Sequence, residues 1–459
     1  MSRQIAQVLR ARQLSMADYE ALFRPPVNRG MRVLDREFFR RSVPLAAARF
    51  ADPRLIPTFS KQCQADILQL QGVPHVAATT VAGEAAKVVR LAPHVRADDP
   101  STLAESTRAL LAAEPSITLE PHTLELKYGH WRADEILAAV LPEELLDEVP
   151  SGFTMTGHVA HMNLRDEYRP YGRLIGELVL DKNPKIRTVV NKTDSIDTKF
   201  RTFAMEVLAG DDDTMVEHHE SGCRFRFDFA RVYWNSRLHT EHDRLIQTFR
   251  PGEAVCDVFA GVGPFAVPAG RRGIVVLAND LNGPSYAALC DNIKLNKVAP
   301  YVHAFNLDGR DFIRASVAAL RALARDPITV PVRAPKRLKP SQPPPAPVTV
   351  AVPSTPSRYV MNLPDTAIEF LDAFRGLLAD DPGAALPRVH VYCFHKSDPA
   401  APKPTEPEVR VALRDRVAAA LGHEIDAAAL DLHFVRQVAP TKGMWCVSFD
   451  LPAAVAHAA

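Results

Sequence analysis

The residues best suited to chemistry surround a short glycine turn. Residues 255–259 form an apolar run broken by one acid, Asp257, which is typical of a buried parallel strand. Gly261 and Gly263 follow at once, and glycine permits positive φ angles and close approach of a ligand to the main chain. The next apolar run leads to Asp280. This pattern predicts a nucleotide site at the carboxyl edge of a parallel sheet.

Two kinds of nucleotide site share this pattern. Gly261, Gly263 and Ala266 also satisfy the dinucleotide fingerprint, with Asp280 following at a suitable distance. The acid at position 257 and the Asn-Asp-Leu-Asn sequence at 279–282 instead resemble class I S-adenosylmethionine-dependent methyltransferases. That resemblance would assign Asp280 to the ribose hydroxyls and place the glycines under the methionine part. A nicotinamide site and a turn without a ligand stay open as alternatives.

The elements that must position these residues form an α/β pattern from about residue 221 onward. Helical stretches separate the first five strands, and only the short turn 440–443 separates the last two. Five crossover-linked parallel strands with a terminal hairpin predict a Rossmann-like, class I methyltransferase domain with a seven-stranded sheet. The predicted strands are 255–259, 274–278, 301–305, 358–362, 389–394, 433–438 and 444–450.

One segment interrupts the sheet pattern. Ten of the 38 prolines lie between residues 327 and 356, together with several basic residues. Proline removes a backbone donor and disrupts helices and interior strands. We therefore expect a disordered insertion at about 327–356, between the helix after the third strand and the fourth strand.

Length and composition limit what the rest of the chain can be. A chain of 459 residues implies two or three domains, and 47% hydrophobic with 24% charged residues is typical of a soluble globular protein. No apolar run is long enough to span a membrane, so we expect no membrane association. The six cysteines show no metal-type spacing, which predicts no metal site and a reducing compartment. A net charge of +1 does not mark a nucleic-acid binder, so any polyanion site requires local basic clusters.

Two smaller α/β or α+β domains are predicted before the catalytic domain, which we place at 226–459. Residues 25–145 contain no visible catalytic cluster, so we expect a binding or positioning domain there. Residues 146–225 would form a middle domain, with a charged loop at 191–201. Its basic residues either follow a phosphate backbone or form a solvated face; they are Lys182, Lys185, Arg187, Lys192, Lys199 and Arg201.

The N-terminal extension, residues 1–24, carries a possible targeting signal. Arg3, Arg10 and Arg12 lie among apolar residues with no acid before Asp18, which is compatible with a weak mitochondrial presequence. Met16 offers a second start. A frayed terminus is the alternative. We expect a cytoplasmic protein with mitochondrial matrix and nuclear pools.

Four motifs resemble one family in particular. They are residues 157–165 (GHVAHMNLR), 185–192 (KIRTVVNK), 200–203 (FRTF) and 232–242 (VYWNSRLHTEH). Together they resemble the archaeal and eukaryotic tRNA guanine-N1 methyltransferases that act on guanosine 37, beside the anticodon. The resemblance holds from about residue 26 to 450, apart from the insertion. It implies an N-terminal domain that reads the tRNA elbow, S-adenosylmethionine as cofactor, tRNA with guanosine 37 as substrate, a monomer, and a role in maintaining the reading frame.

The resemblance also implies a catalytic set. Glu241 would be the general base for N1, Arg201 would stabilise the charge that develops on O6, and Asn362, in Met-Asn-Leu-Pro, would hold the guanine edge. Thr240 is a good N-cap residue, so Glu241 is expected at a helix start, where a carboxylate is favoured in its ionised form. The alternative is that Glu241 is only a helix-start acid. A general base contributes about 10²–10⁴-fold to rate.

Binding residues follow from the same resemblance. The acid after the third strand would meet the adenine amino group, and His242 would face the methionine carboxylate unless it is only a helix-surface histidine. Trp234 either stacks on the base or belongs to the core. The implied cofactor-binding residues are His242, Asp257, Gly261, Gly263, Asp280, Leu281, Asp308, Gly309 and Asn362. The implied substrate-binding residues are Tyr233, Arg237, Asn163, Arg165 and Lys192.

Two other functions share much of this pattern. A wybutosine-pathway transferase moves the aminocarboxypropyl group of the same cofactor onto a modified guanosine, but the Asn-Leu-Pro sequence and the 232–242 motif favour methyl transfer. A tRNA-binding protein without activity is disfavoured because the glycine turn, Glu241 and Arg201 are all present.

Overall fold

The computed structural model describes residues 16–81, 84–196, 203–325, 327–330, 347–400, 402 and 404–459. The predicted presequence, residues 1–15, lies outside the described residues. The chain divides into two compact units. Unit 1 comprises Met1–Phe153, Met162–Val189 and Leu208–Gly210, and unit 2 comprises Thr154–His161, Val190–Val207 and Asp211–Ala459. The functional division predicted above, at 1–24, 25–145, 146–225 and 226–459, stays a prediction.

The helices and strands of the described ranges are as follows. The α-helices are α1 (Met16–Ala21), α2 (Ile56–Gln62), α3 (Glu105–Ala113), α4 (Ala133–Val140), α5 (Gly172–Lys182), α6 (His239–Gln247), α7 (Ala266–Arg271), α8 (Gly283–Leu295), α9 (Gly309–Leu323), α10 (Glu406–Leu421) and α11 (Ala453–Ala456). The strands are β1 (Arg40–Phe50), β2 (Val76–Val81), β3 (Glu84–Arg90), β4 (Ile117–Lys127), β5 (Thr154–Thr156), β6 (Val159–Met162), β7 (Thr188–Ile196), β8 (Phe203–Gly210), β9 (Met215–Glu220), β10 (Cys223–Asp228), β11 (Ala254–Asp257), β12 (Val275–Asn279), β13 (Val302–Phe305), β14 (Ile328–Val330), β15 (Val348–Val350), β16 (Arg358–Met361), β17 (Arg388–Lys396), β18 (Asp431–Ala439) and β19 (Lys442–Asp450). The 3-10 helices Ser236–Leu238 and Ala367–Phe374 also bear on the site.

Unit 1 contains an antiparallel sheet with the strand order β2-β3-β1-β4. Strands β1 and β4 pair along their whole length, from Arg40 opposite Lys127 to Phe50 opposite Ile117. Phe50 packs edge to face on Phe59 of α2 inside a core that β3 also enters. Burial of large aromatic side chains accounts for much of the stability of such a small core. A further sheet has the strand order β5-β6-β7-β8.

Unit 2 contains the seven-stranded sheet, in the order β13-β12-β11-β16-β17-β19-β18. The first five strands in this order are parallel, and β19 runs antiparallel to both of its neighbours. Each of the seven predicted strands is confirmed, with ends within two residues of the prediction. Alternate residues of β11 enter two separate cores, Cys256 on one face and Val255 on the other. Both faces are therefore buried, which explains why these strands are apolar along their length.

The predicted bounds of the proline-rich insertion need correction. Strands β14 and β15, near its two ends, pair with each other in antiparallel fashion. Val352 is buried in the same core as Tyr359 of β16. Structured chain therefore reaches into both ends of the predicted 327–356 segment, and residues 331–346 lie outside the described residues. The strands tolerate the nearby prolines because a two-stranded ribbon leaves half of its backbone groups unpaired.

The predicted charged loop at 191–201 is also wrong in its first half. Strand β7 continues to Ile196 as part of the sheet with the order β5-β6-β7-β8. Residues 197–202, including Arg201 of the predicted catalytic set, lie outside the described residues. Within the described ranges, no helix has both the length and the apolar content needed to cross a membrane.

Candidate active site

A cavity of about 360 Å³ lies at the carboxyl ends of strands β11, β12, β13 and β16 of unit 2. Parallel strands end at the same edge, so the loops that follow them contribute to one site. Seven of the predicted site residues line this cavity, and they are Tyr233, Gly261, Asp280, Leu281, Asp308, Gly309 and Asn362.

The two glycines of the turn, Gly261 and Gly263, have different structural roles. Both have positive φ angles, 55° for Gly261 and 97° for Gly263. An added Cβ at Gly261 would meet nothing within 4 Å, whereas at Gly263 it would lie 2.8 Å from side-chain atoms of Leu289 and of Val267. Gly261 therefore leaves open space at the cavity, and Gly263 allows helices α7 and α8 to pack closely.

Asp280 connects the end of β12 to the glycine turn. Its carboxylate accepts hydrogen bonds from the backbone N–H groups of Gly261, at 2.8 Å, and Asn282, at 2.9 Å. Burial raises the pKa of Asp280, although these two donors act in the opposite direction. The preceding Asn279 donates from its amide to the carbonyls of Val258 and Leu307, each at 3.1 Å. Asn279 was not predicted as a site residue, yet it holds three strand ends together.

Two buried polar groups have unused hydrogen-bonding capacity. Asp257 is completely buried, and neither of its carboxylate oxygens has a hydrogen-bond partner among the described residues. Burial, with a further contribution from nearby Asp280, raises the pKa of Asp257 well above its ordinary value. The side-chain oxygen of Asn362, which lines the cavity, also has no partner in the described chain. Unpaired buried polar groups are costly and so indicate that a ligand completes the site.

The part of the cavity next to β13 has aromatic walls. A Cβ at Gly309 would lie 2.9 Å from the ring of Phe259 and 3.0 Å from that of Phe370. These two rings pack edge to face with centroids 5.0 Å apart. Asp308 caps α9 by accepting from the N–H of Arg310 at 2.9 Å. Glycine at position 309 therefore lets these two rings pack against the backbone and form an aromatic wall of the cavity.

Phe259 and Phe370 were not predicted as site residues. Phe259 ends the predicted first strand, so its place at the carboxyl edge was a usable signal. Phe370 lies in the 3-10 helix Ala367–Phe374 and has no comparable signal.

Glu241 does not line the cavity but lies in a buried polar cluster. Its carboxylate accepts from Nε and Nη2 of Arg244, at 2.6 and 2.7 Å, and from the hydroxyl of Tyr392 at 2.7 Å. Nε2 of His433 is 3.2 Å away. A carboxylate surrounded by such groups is held in one orientation.

The predicted N-cap at Thr240 is wrong. Helix α6 begins at His239, directly after the 3-10 helix Ser236–Leu238. Asn235 caps that turn by accepting from the N–H of Arg237 at 3.2 Å. The extra 3-10 turn moves the helical start upstream, so the capping side chain is an asparagine five residues before Thr240. Glu241 nevertheless lies in the first turn of α6, as predicted.

The pairing of β16 with β17 places Glu241 on the same side of the sheet as Asn362. Met361, the last residue of β16, pairs with Val391 of β17, so the next residues, Asn362 and Tyr392, are neighbours. Val360 and Tyr392 belong to one core, and alternation puts Asn362 on that same face. The hydrogen bond from Tyr392 therefore keeps Glu241 over the face that carries Asn362.

His242 is buried, so the helix-surface alternative is wrong. Its Nδ1 is 2.6 Å from Oε1 of Glu220, and its ring packs edge to face on Phe265, with centroids 4.7 Å apart. Trp234 is also buried and packs on Phe227, which places it in the core.

The remaining predicted substrate-binding residues are dispersed. Arg237 is exposed, and Lys192 is half-buried with its Nζ 5.7 Å from the ring centroid of Phe229. Burial lowers the pKa of Lys192. Asn163 and Arg165 are exposed residues of unit 1. Arg165 forms ion pairs of 3.0 Å with Glu148 and with Glu167.

The strand order of the sheet and the cavity above its glycine turn define a class I methyltransferase fold. A tRNA (guanine(37)-N(1))-methyltransferase of Yarrowia lipolytica is 48% identical to this chain, over 95% of the chain and 93% of its own length. Relatives of the same name from Saccharomyces cerevisiae and Schizosaccharomyces pombe are 47% and 48% identical, over 94% and 93% of this chain and 95% of each relative. The chain belongs to the tRNA (guanine(37)-N(1))-methyltransferase family, which confirms the family predicted from the four motifs.

Family models and solved structures agree with this assignment. The TYW2 N-terminal domain matches residues 133–214, and the TRM5/TYW2 methyltransferase domain matches residues 216–327. The crystal structure of wild-type Trm5b from Pyrococcus abyssi, with a TM-score of 0.52 and 19% identity, covers 88% of this chain and 99% of its own. The structure of a complex of aTrm5 and tRNALeu, with a TM-score of 0.55 and 19% identity, covers 89% of this chain and 100% of its own. These two structures support the fold.

Proposed function

We propose that this protein transfers the methyl group of S-adenosylmethionine to N1 of guanosine 37 in tRNA. The observation that carries the proposal is the likeness to fungal relatives that bear this activity in their names, at 47–48% identity over at least 93% of this chain. The cavity at the carboxyl edge of the sheet supports it, because this is where nucleotide-like ligands bind in open α/β folds.

The residues around the cavity fit the cofactor. Asp280 lines the cavity and suits ribose hydroxyls, whereas Asp257 is buried behind the glycine turn and its predicted cofactor role remains part of this proposal. The aromatic wall that Phe259 and Phe370 form beside Gly309 suits an adenine ring packed against it. When bound there, S-adenosylmethionine supplies the methyl group. The roles predicted for Asp308, Leu281 and His242 remain part of this proposal.

The protein must also remove a proton, because N1 of neutral guanosine carries one. Glu241 is the proposed acceptor, and two hydrogen bonds from Arg244 hold its carboxylate in place. Asn362, whose side-chain oxygen is unpaired, is proposed to accept a hydrogen bond from the guanine edge. Arg201 is proposed to stabilise the charge on O6, and a planar guanidinium suits that role.

The alternative transferase and the methyltransferase leave different products. Purified full-length protein with methyl-labelled cofactor should label tRNA transcripts that carry guanosine 37 and not those that carry adenosine 37. Digestion should release N1-methylguanosine, and the by-product should be S-adenosylhomocysteine. Methylthioadenosine as the by-product, or equal labelling of both transcripts, would contradict the proposal.

The same assay tests the base. Glu241→Gln keeps the shape of the side chain and loses its basicity, so cofactor affinity should persist while the single-turnover rate falls by about 10²-fold or more. A rate within about twofold of wild type would remove Glu241 from the role of general base.

A further inference from the structure

Three hydrogen bonds and one further contact surround the Glu241 carboxylate. Arg244 donates two of the bonds, the Tyr392 hydroxyl donates the third, and Nε2 of His433 lies 3.2 Å away. The side chain of Glu241 is only 4% exposed, so water does not replace these partners. A carboxylate has about four lone-pair directions, and the three bonds occupy three of them.

The donors differ in charge. Burial raises the pKa of Tyr392 well above its ordinary value, and the same effect raises the pKa of Cys446, the neighbouring group on β19, to about 11. Burial lowers the pKa of His433 on β18, and nearby Arg244 lowers it further. Tyr392, Cys446 and His433 are therefore neutral at neutral pH. Among the described groups that face Glu241, Arg244 carries the positive charge.

The donors also differ in how firmly they are held. Arg244 lies three residues after Glu241 on helix α6 and makes two parallel N–H···O bonds, a geometry that fixes the plane of a carboxylate. Tyr392 is completely buried. His433 makes the longest contact, and its side chain is 45% exposed. His433 is thus the donor that can give way to an incoming N–H group without leaving another buried group unpaired.

We propose that Arg244 is a positioning residue for the proton transfer: its guanidinium fixes the orientation of the Glu241 carboxylate and places a positive charge beside it. The inference rests on the proposed function, because Glu241 is a base only in that reaction. The N1–H bond of guanine breaks, an O–H bond forms on Glu241, and the electron pair stays on N1. Arg244 keeps its own protons throughout.

A purely structural ion pair would behave differently. Removing the guanidinium would then lower stability, because a buried carboxylate would lose its compensating charge. It would not change how the rate of methylation depends on pH. The pH–rate profile therefore separates the two roles.

The test compares Arg244→Lys and Arg244→Gln with wild type. Single-turnover methylation of guanosine 37 transcripts is measured between about pH 5 and pH 9, with cofactor and tRNA saturating. Lysine keeps the charge and loses the paired geometry, so the rate plateau should fall about tenfold or more while the acid limb stays in place. Glutamine also removes the charge, which makes protonation of the carboxylate easier. The acid limb should then move to higher pH.

Arg314 provides a matched control. It also follows its acid, Asp311, by three residues on a helix, but that pair is exposed and 3.8 Å long. Arg314→Lys and Arg314→Gln should leave both plateau and acid limb unchanged, as expected for a surface pair. Cofactor affinity and melting midpoint are measured for every variant.

The outcomes separate this inference from the proposed function. A wild-type protein that does not methylate guanosine 37 refutes the proposed function, and an unimpaired Glu241→Gln overturns both the base and Arg244 as its positioning residue. If wild type is active and Glu241→Gln is impaired, a plateau rate of Arg244→Lys equal to that of wild type overturns only the positioning role of Arg244. An unshifted acid limb in Arg244→Gln overturns its electrostatic part. Should Arg244→Gln fail to fold, Arg244→Lys still decides, because it keeps the buried charge.

Discussion

Alanine substitutions in the glycine turn should separate cofactor contact from helix packing. Gly261→Ala adds a Cβ in open space at the cavity, whereas Gly263→Ala adds one 2.8 Å from both Leu289 and Val267. Gly252 has a φ of 85°, close to the 97° of Gly263, and a Cβ there would meet nothing within 4 Å. Gly252→Ala is therefore a control for backbone strain without a steric clash.

The expected magnitudes follow from these contacts. A positive φ destabilises alanine in the folded state by about 1–2 kcal/mol. Alanine also restricts the unfolded chain more than glycine does, which stabilises the folded protein by about 0.4–1 kcal/mol. Gly252→Ala and Gly261→Ala should each lose roughly 1 kcal/mol of stability by this reasoning. Gly263→Ala should lose about 1–3 kcal/mol more, because its Cβ overpacks the contact between α7 and α8.

Urea unfolding of the three variants measures these differences, and equilibrium dialysis with S-adenosylmethionine measures affinity. We expect Gly261→Ala to bind the cofactor about tenfold or more weakly, and Gly252→Ala to bind it like wild type. An unchanged affinity in Gly261→Ala would refute the placement of the ligand against the turn. If Gly263→Ala and Gly252→Ala were equally stable, the packing argument would be wrong.

Three further experiments address other parts of the chain. Because burial raises the pKa of Asp257 in the folded state, its contribution to the stability of the cofactor-free protein falls as pH rises above about 4. Asp257→Asn should flatten this dependence in urea unfolding and weaken cofactor binding, and an unchanged slope would contradict the assignment. Replacing residues 331–346 by a short glycine-serine linker keeps strands β14 and β15 paired and should leave the melting midpoint near that of wild type. Deleting 327–356 also removes buried Val352 and should lower the midpoint, so equal midpoints would refute the structural role of the hairpin. If the N-terminal domain only binds the tRNA elbow, an isolated anticodon stem-loop used as substrate in place of full tRNA should have a higher KM with the intact enzyme. The single-turnover rate at saturation should stay within a few-fold of the rate with full tRNA. A slow plateau with the stem-loop would mean that the elbow contact controls the chemistry.

The sequence by itself determined the features that depend on neighbours along the chain. Apolar runs and the residues that interrupt them predicted all seven strands of the main sheet, and the runs are most continuous in central strands such as β11 and β12, which are buried on both faces. The glycine turn was predicted for the same reason, since positive φ angles require glycine at the positions where the chain turns. The family motifs likewise consist of adjacent residues.

Only the tertiary structure decided which distant side chains meet. Tyr392 lies 151 residues from Glu241, and their hydrogen bond depends on the strand order that brings β17 under helix α6. Phe259 and Phe370 form the aromatic wall of the cavity, although no local pattern relates them. Strands β14 and β15 were missed because each has three residues and gains its stability from the other. Contacts of this kind depend on register and strand order, and the propensities of neighbouring residues do not specify either of them.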